Sequence, residues 1–200
     1  MSNLLITIFA YLIDRVFGEF RFIKHPIILI GELITYFEEK FYKDSILRGA
    51  LLVLFVLSVV SFFSVSTTLF LAELPTTLNV LLSSIIASIF VAHKMLRDSV
   101  KGILNATNKR EALAILVSRD TEAMSESDVY KAAIETYGEN LSDGVIAPLL
   151  YLLLFGLPGI IFYKAVNTMD SMVGYRSAKY ENYGKVAAKL DDALNYLPSR

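Results

Sequence analysis

Lys164, Asn167, Asp170 and Ser171 stand in the stretch "KAVNTMDSMVGYR", residues 164–176. On a helix they fall at i, i+3, i+6 and i+7, with Gly174 continuing the stripe, while Met169, Met172 and Val173 take the other side. An ammonium, an amide, a carboxylate and a hydroxyl on one face suit a charged ligand, and Arg176 just beyond could neutralise an anion. Two other stretches repeat this chemistry. "ETYGENLSDG" (135–144) places Glu139, Asn140 and Asp143, hard oxygen donors, within one helical turn, a set suited to Mg²⁺. "KLDDALNYLPSR" (189–200) sets Asp191, Asp192 and Asn195 one turn apart. His25 in "KHP" (24–26), beyond Asp14, is held extended by the proline after it and could bind phosphate or act as a general base. Arg119 in "SRD" (118–120) offers a fork for phosphate or carboxylate.

Each group also has a plain structural reading. Acidic residues end many solvated helices, small polar residues pack helix against helix, Asp pairs decorate exposed faces, and histidines sit in loops. What tips the balance is the setting. The stripe at 164–174 follows twenty uncharged residues, 144–163, and ionisable groups beside a membrane segment are costly and usually functional. Other chemistries are excluded. There is no cysteine, so no disulfide or thiolate metal site, and the two histidines, His25 and His93, are too few and too far apart in sequence for a zinc site. No G-x-x-x-x-G-K-[ST] or G-x-G-x-x-G run occurs, so a nucleotide would bind without a P-loop or Rossmann turn. A net charge of −1 with no basic face predicts no nucleic-acid partner.

The elements that must carry these groups are apolar. Of 200 residues 54% are hydrophobic, and the mean hydropathy is +0.52. Residues 49–72 and 74–92 lack charge and are long enough to cross a hydrocarbon core of about 30 Å. The expectation is an all-α, polytopic integral membrane protein forming a single membrane domain. A short membrane segment spans 1–13, and 49–72 and 74–92 form a hairpin. A cytoplasmic-side helical region covers 94–143, a re-entrant or spanning segment 144–163, and a polar helical region 164–200. Lysines and arginines cluster at 15–48 and 94–131 and are absent around Glu73, which puts those clusters on the cytoplasmic side. "GLPG" (156–159) interrupts the segment 144–163, which therefore reads as dipping in and returning, since broken backbone at membrane depth must be buried or line a cavity.

"SRDTEAMSESDVYKAAIETYGENLSDGVIAPLLY", "YKAVNTMDSMVGYR" and "YGKVAAKLDDALNYLPSR" resemble signature blocks of the adenosylcobinamide-phosphate synthase family, and "LIDRVFGEFRFIKHPIILIGELITYFEE" resembles its opening. Glu19-Phe20 departs from the family's usual Asp-Pro. Family members run on for roughly another third, so the chain is expected to be a fragment or a shortened paralogue. The resemblance implies a membrane-bound, amide-forming ligase of cobalamin biosynthesis. It joins a propionate of adenosylcobyric acid to aminopropanol, free or phosphorylated, with ATP as co-substrate and Mg²⁺ as cofactor, through an acyl phosphate. It implies a multi-pass protein of the cell membrane, in contact with lipid and with other cobalamin-biosynthesis enzymes, its site on the cytoplasmic side. Under this reading Glu139, Asn140, Asp143 and Asp170 hold the metal and nucleotide. Arg119, Lys164, Asn167, Ser171, Arg176, Asp191, Asp192 and Asn195 bind phosphate or substrate, and His25, Asp143 and Asp170 carry catalysis. Two rivals are a non-catalytic signalling paralogue, against which the retained acidic clusters speak, and a transporter, against which the few membrane segments speak.

Overall fold

The computed structural model describes residues 2–20, 24–117 and 120–200, and every regular element among them is helical. In chain order these are α1 (Ser2–Phe17), α2 (Pro26–Phe41), α3 (Ile46–Ala72), α4 (Thr76–Ser88), α5 (His93–Asn105), α6 (Lys109–Ala114), α7 (Glu126–Leu141), α8 (Ala147–Val173) and α9 (Lys185–Asn195). One π-helical turn, Ser142–Ile146, joins α7 to α8. Local chemistry sets the ends. His25 caps α2, accepting the Ile27 N–H, and Pro26 takes a first-turn position where a missing N–H costs nothing. Ser125 caps α7 by accepting the Asp128 N–H at 3.2 Å while its hydroxyl donates to the Asp128 carboxylate at 2.6 Å.

Among the described residues three helical runs are long and apolar enough to cross a membrane: Ile46–Ala72, Thr76–Asn105 and Glu126–Val173. Their outward side chains include Leu54, Phe62, Phe63 and Phe70 on α3 and Leu154 and Phe155 on α8, surface that water rejects and lipid accepts. The second run is not one straight helix. The helix expected over 74–92 ends at Ser88, residues 89–92 turn, and α5 starts at His93. Two bonds hold that turn. The Ala92 N–H donates to the Gly144 carbonyl at 2.9 Å, and the buried Asp14 carboxylate on α1 accepts the Lys94 N–H at 3.2 Å, capping α5 from another helix. Asp14 is thereby a structural group.

In the third run the chain turns back on itself. A straight helix would put residues 143 and 164 about 32 Å apart, yet Lys164 Nζ lies 3.4 Å from the Asp143 carbonyl oxygen. The rings of Tyr151 and Tyr163 stack with centroids 5.1 Å apart. The reversal is at Gly156, whose φ of 68° and ψ of −155° are open to glycine without strain. Pro158 follows in the first turn of the returning arm, where proline is tolerated. At Gly159 the arms meet so closely that an added Cβ would strike the Tyr151 carbonyl oxygen and come within 2.6 Å of Phe155 Cβ. "GLPG" is a turn, and α8 is two antiparallel arms, 147–155 and 157–173. The returning arm continues unbroken to Val173, so Lys164 sits inside a helix and not at the start of a separate polar region.

The returning arm packs on α2, α3 and α9 through a core that includes Ile34, Val56, Val166, Met169 and Tyr183. The outgoing arm, the start of the returning arm, α1 and α4 share Ile6, Ala10, Ala87, Leu152 and Ile160. Helices α5, α6 and α7 enclose a small core of their own around Ile103, Leu113 and Val129. The 174–184 segment is tied to α2: Tyr180 Oη donates to Glu38 at 2.9 Å, and Lys179 pairs with the same carboxylate at 2.5 Å. Gly49 lets α3 lie against the Tyr183 carbonyl, which an added Cβ would overlap. Gly159→Ala and Gly49→Ala should each cost about 1–3 kcal/mol through overpacking, read as a lower unfolding temperature in detergent micelles. Unfolding at the wild-type temperature would contradict these contacts.

Candidate functional site

The returning arm of α8 delivers Lys164, Asn167 and Asp170 one turn apart on one face, the π-helical turn delivers Asp143, and α9 delivers Asp191, Asp192 and Asn195. The turn Ser142–Ile146 adds one residue to its helical cycle, the form helices take where a side chain is re-aimed at a functional position. Lys164 is 8% exposed. Its ammonium donates to Asn167 Oδ1 at 3.2 Å and to the Asp143 carbonyl at 3.4 Å. Asn167 Nδ2 in turn donates to Asp191 Oδ1 at 3.4 Å, and Asn195 Nδ2 donates to Asp191 Oδ2 at 2.9 Å. Tyr163 Oη donates to Asn195 Oδ1 at 2.8 Å, and Tyr151 Oη to the Leu194 carbonyl at 2.9 Å. One chain of hydrogen bonds runs from Asp143 through the returning arm to α9, and Tyr151 ties the outgoing arm to α9 separately.

Four carboxylates share this region. Asp143 lies in the electrostatic field of Asp191 and Lys164, and Asp170 in that of Asp191, Asp192 and Asp143. Lys164 is a cation whose charge acts on both Asp143 and Asp191. Burial pushes the Asp191 carboxyl above its ordinary range, and Asp192 adds to the rise. The amide groups of Asn195 and Asn167 and the charge of Lys164 oppose it.

Among the described residues no three His, Asp or Glu side chains are close enough together to hold a metal ion. The expected metal set is divided. Asp143 and Asp170 join the cluster, whereas Glu139 and Asn140 are exposed, and the Asn140 amide is spent on the Thr136 carbonyl at 2.8 Å. Ser171 faces outward. Arg176 is exposed and lines, with Asp192, a cleft of about 270 Å³ between the 174–181 segment and α9. Arg119 lies outside the described residues. His25 lines a separate cavity of about 290 Å³ with Asp14, Glu19 and Lys164. The expected base role of His25 meets an obstacle. Its Nδ1 accepts the Ile27 N–H at 3.2 Å and is engaged as a helix cap.

The sequence reading missed Tyr151 and Tyr163. They stand twelve residues apart and meet only because the chain turns at Gly156, a proximity that no spacing rule displays.

A family described as CobD/Cbib protein matches residues 7–200. The chain belongs to that family. Similar relatives are the probable cobalamin biosynthesis protein CobD of Pyrococcus furiosus, 42% identical over 96% of this chain and 68% of its own length, and that of Methanocaldococcus jannaschii, 37% identical over 100% and 69%. The cobalamin biosynthesis protein CobD of Halalkalibacterium halodurans is 36% identical over 96% of the chain and 62% of its own. The chain thus spans roughly two thirds of these CobD/Cbib relatives. No solved structure matches it.

Because folded Asp191 holds its proton to higher pH than the unfolded chain does, its contribution to stability is present below the ordinary carboxylate range. That contribution is lost as pH rises from there through the raised value. Asp191→Asn removes this loss, so the variant's unfolding temperature should fall less across that interval. Thermal melts at stepped pH check it, and superimposable pH profiles would contradict it.

Proposed function

We propose that this chain forms the active-site part of a membrane enzyme of cobalamin biosynthesis. The enzyme joins the propionate of adenosylcobyric acid to the amine of aminopropanol, free or phosphorylated, with ATP as co-substrate. The observation that carries this reading is the meeting of Asp143, Asp170, Asp191 and Asp192 in one region, with the buried ammonium of Lys164 beside Asp143 and Asp191. The family and the names of its relatives supply the pathway. The arrangement of lysines and arginines supports a multi-pass orientation in the cell membrane with the carboxylate end on the cytoplasmic side.

The chemistry asks three things of the protein. A carboxylate is inert toward an amine until one oxygen becomes a leaving group, which transfer of the terminal phosphoryl group of ATP achieves, giving an acyl phosphate and ADP. The amine then attacks the acyl carbon, phosphate leaves, and the ammonium proton must have gone to a base. Lys164, fixed by Asn167 and the Asp143 carbonyl, binds the substrate carboxylate or the oxygens that gain charge during transfer. Asp143 and Asp170 offer carboxylate oxygens to the ammonium and its proton. Asn167 and Asn195 orient Asp191. Mg²⁺, bound through Asp170 or Asp143 together with the phosphates, would supply charge neutralisation.

The full-length protein in membranes, given adenosylcobyric acid, aminopropanol phosphate and Mg·ATP, should produce the amide. Asp170→Asn and Lys164→Met should each lower kcat/KM by about 10²-fold or more, the scale set by removing one charge-stabilising group. Full turnover in either variant, or no amide from the wild type, contradicts the reading.

A further inference from the structure

Tyr163 and Asn167 stand four residues apart on the returning arm of α8, and Asp191 and Asn195 stand four apart on α9. Tyr163 meets Asn195 and Asn167 meets Asp191, so the two faces run antiparallel with their side chains in register. Two lines of hydrogen bonds converge on Asp191. Lys164 donates to Asn167 Oδ1, and Asn167 Nδ2 donates to Asp191 Oδ1. Tyr163 Oη donates to Asn195 Oδ1, and Asn195 Nδ2 donates to Asp191 Oδ2. Tyr163 and Lys164 are neighbours in the chain, so the lines close into a ring that ends on both oxygens of one carboxylate.

The two asparagines are not held alike. The oxygen and nitrogen ends of an amide have nearly the same shape, so its partners decide which way it points. Asn167 is set by Lys164, which has donors only. Asn195 is set by the Tyr163 hydroxyl, the one donor to its Oδ1 among the described residues. Tyr163 is 0% exposed, so water does not take over when that hydroxyl is lost. Asn195 Oδ1 is then an acceptor without a donor, and the amide is released from Asp191. Tyr151 provides the contrast. Its hydroxyl also bonds α9, at 2.9 Å, but ends on the Leu194 carbonyl, outside the ring.

We propose that Tyr163 is a positioning residue of the site: through Asn195 it fixes the Asp191 carboxylate, and through Asp191 and Asn167 it fixes the direction of the Lys164 ammonium. Its effect on turnover rests on the ligase reading above. An ammonium has three donors. Two of those on Lys164 go to Asn167 and the Asp143 carbonyl, which leaves one for a substrate oxygen. With the ring closed that N–H holds one direction. With the ring open the charge wanders from the oxygens it stabilises. Tyr163 also lies beside the Asp143 carboxylate, so one hydroxyl borders two of the four acids.

The test is hydrogen exchange of the side-chain NH₂ groups of Asn167 and Asn195, by NMR on the full-length protein with isotopically labelled asparagine in detergent micelles. Their signals are assigned by their loss in Asn167→Ser and Asn195→Ser. Tyr163→Phe keeps the ring stacked on Tyr151 and should speed exchange at both amides by about threefold to tenfold, the scale of one net hydrogen bond. Tyr151→Phe, which removes a hydroxyl bond to the same helix, should leave Asn167 unchanged. Asn195→Ala should speed Asn167 exchange as Tyr163→Phe does, and combining the two should add nothing. In turnover, Tyr163→Phe should lower kcat and kcat/KM together by about tenfold or more. Unchanged exchange at Asn167 in Tyr163→Phe overturns the proposal, as does an equal effect of Tyr151→Phe, which would mean that α9 merely loosens. Should Tyr163→Phe fail to fold, unchanged Asn167 exchange in Asn195→Ala overturns it as well. If exchange behaves as expected yet the wild type makes no amide, the ligase reading fails and the positioning role stands. If the wild type makes amide and Tyr163→Phe leaves both exchange and turnover unchanged, the positioning role fails and the ligase reading stands.

Discussion

An ammonium buried among apolar helices must find oxygen ligands close by, and Lys164 finds them only because the chain doubles back at Gly156. That contact organises everything around it. It draws the π-helical turn at Asp143 to the returning arm, and through Asn167 it reaches Asp191 and so anchors α9. Without the reversal Asp143 and Asp170 would lie about 40 Å apart along a rod. With it Asp143 and Asp191 lie beside one cation and Asp170 lies in the field of both.

The surroundings keep that geometry from relaxing. The returning arm is walled by α2, α3 and α9 through fully buried residues such as Ile34, Val56, Val166 and Met169. The stacked pair Tyr151 and Tyr163 fixes the two arms against each other, and each hydroxyl ends on α9. Glycines at 49, 159 and 184 stand where backbone meets backbone, so helix spacing is set by main-chain contact and not by compressible side chains. Small residues at such crossings are how helices approach closely when lipid provides no hydrophobic drive between them.

Much of this was legible in the sequence, for identifiable reasons. The α3 span, the cap at Ser125 and the α8 stripe follow from hydropathy, local hydrogen bonding and the 3.6-residue period. "GLPG" signalled a break because glycine and proline punctuate backbone, and the side-by-side placement of Asp143 and Lys164 is what a returning segment requires. The rest depended on tertiary contact. The α4 helix stops short of its apolar run because Gly144 and Asp14 claim the backbone of residues 92 and 94. Glu139 and Asn140 share a turn with Asp143 in the sequence, yet the π-helical turn and the helix end carry them to the outside. His25 read as a phosphate ligand or general base, and its Nδ1 is engaged as a helix cap.

The distance across the α8 turn tests the account most directly, and the absence of cysteine makes it clean to measure. Spin labels on cysteines introduced at Ile146 and Ser171, both exposed, should lie under about 20 Å apart, as expected for antiparallel arms packed 8–10 Å axis to axis. A separation near 38 Å, the length of twenty-five residues of continuous helix, would contradict the reversal and with it the assembled site.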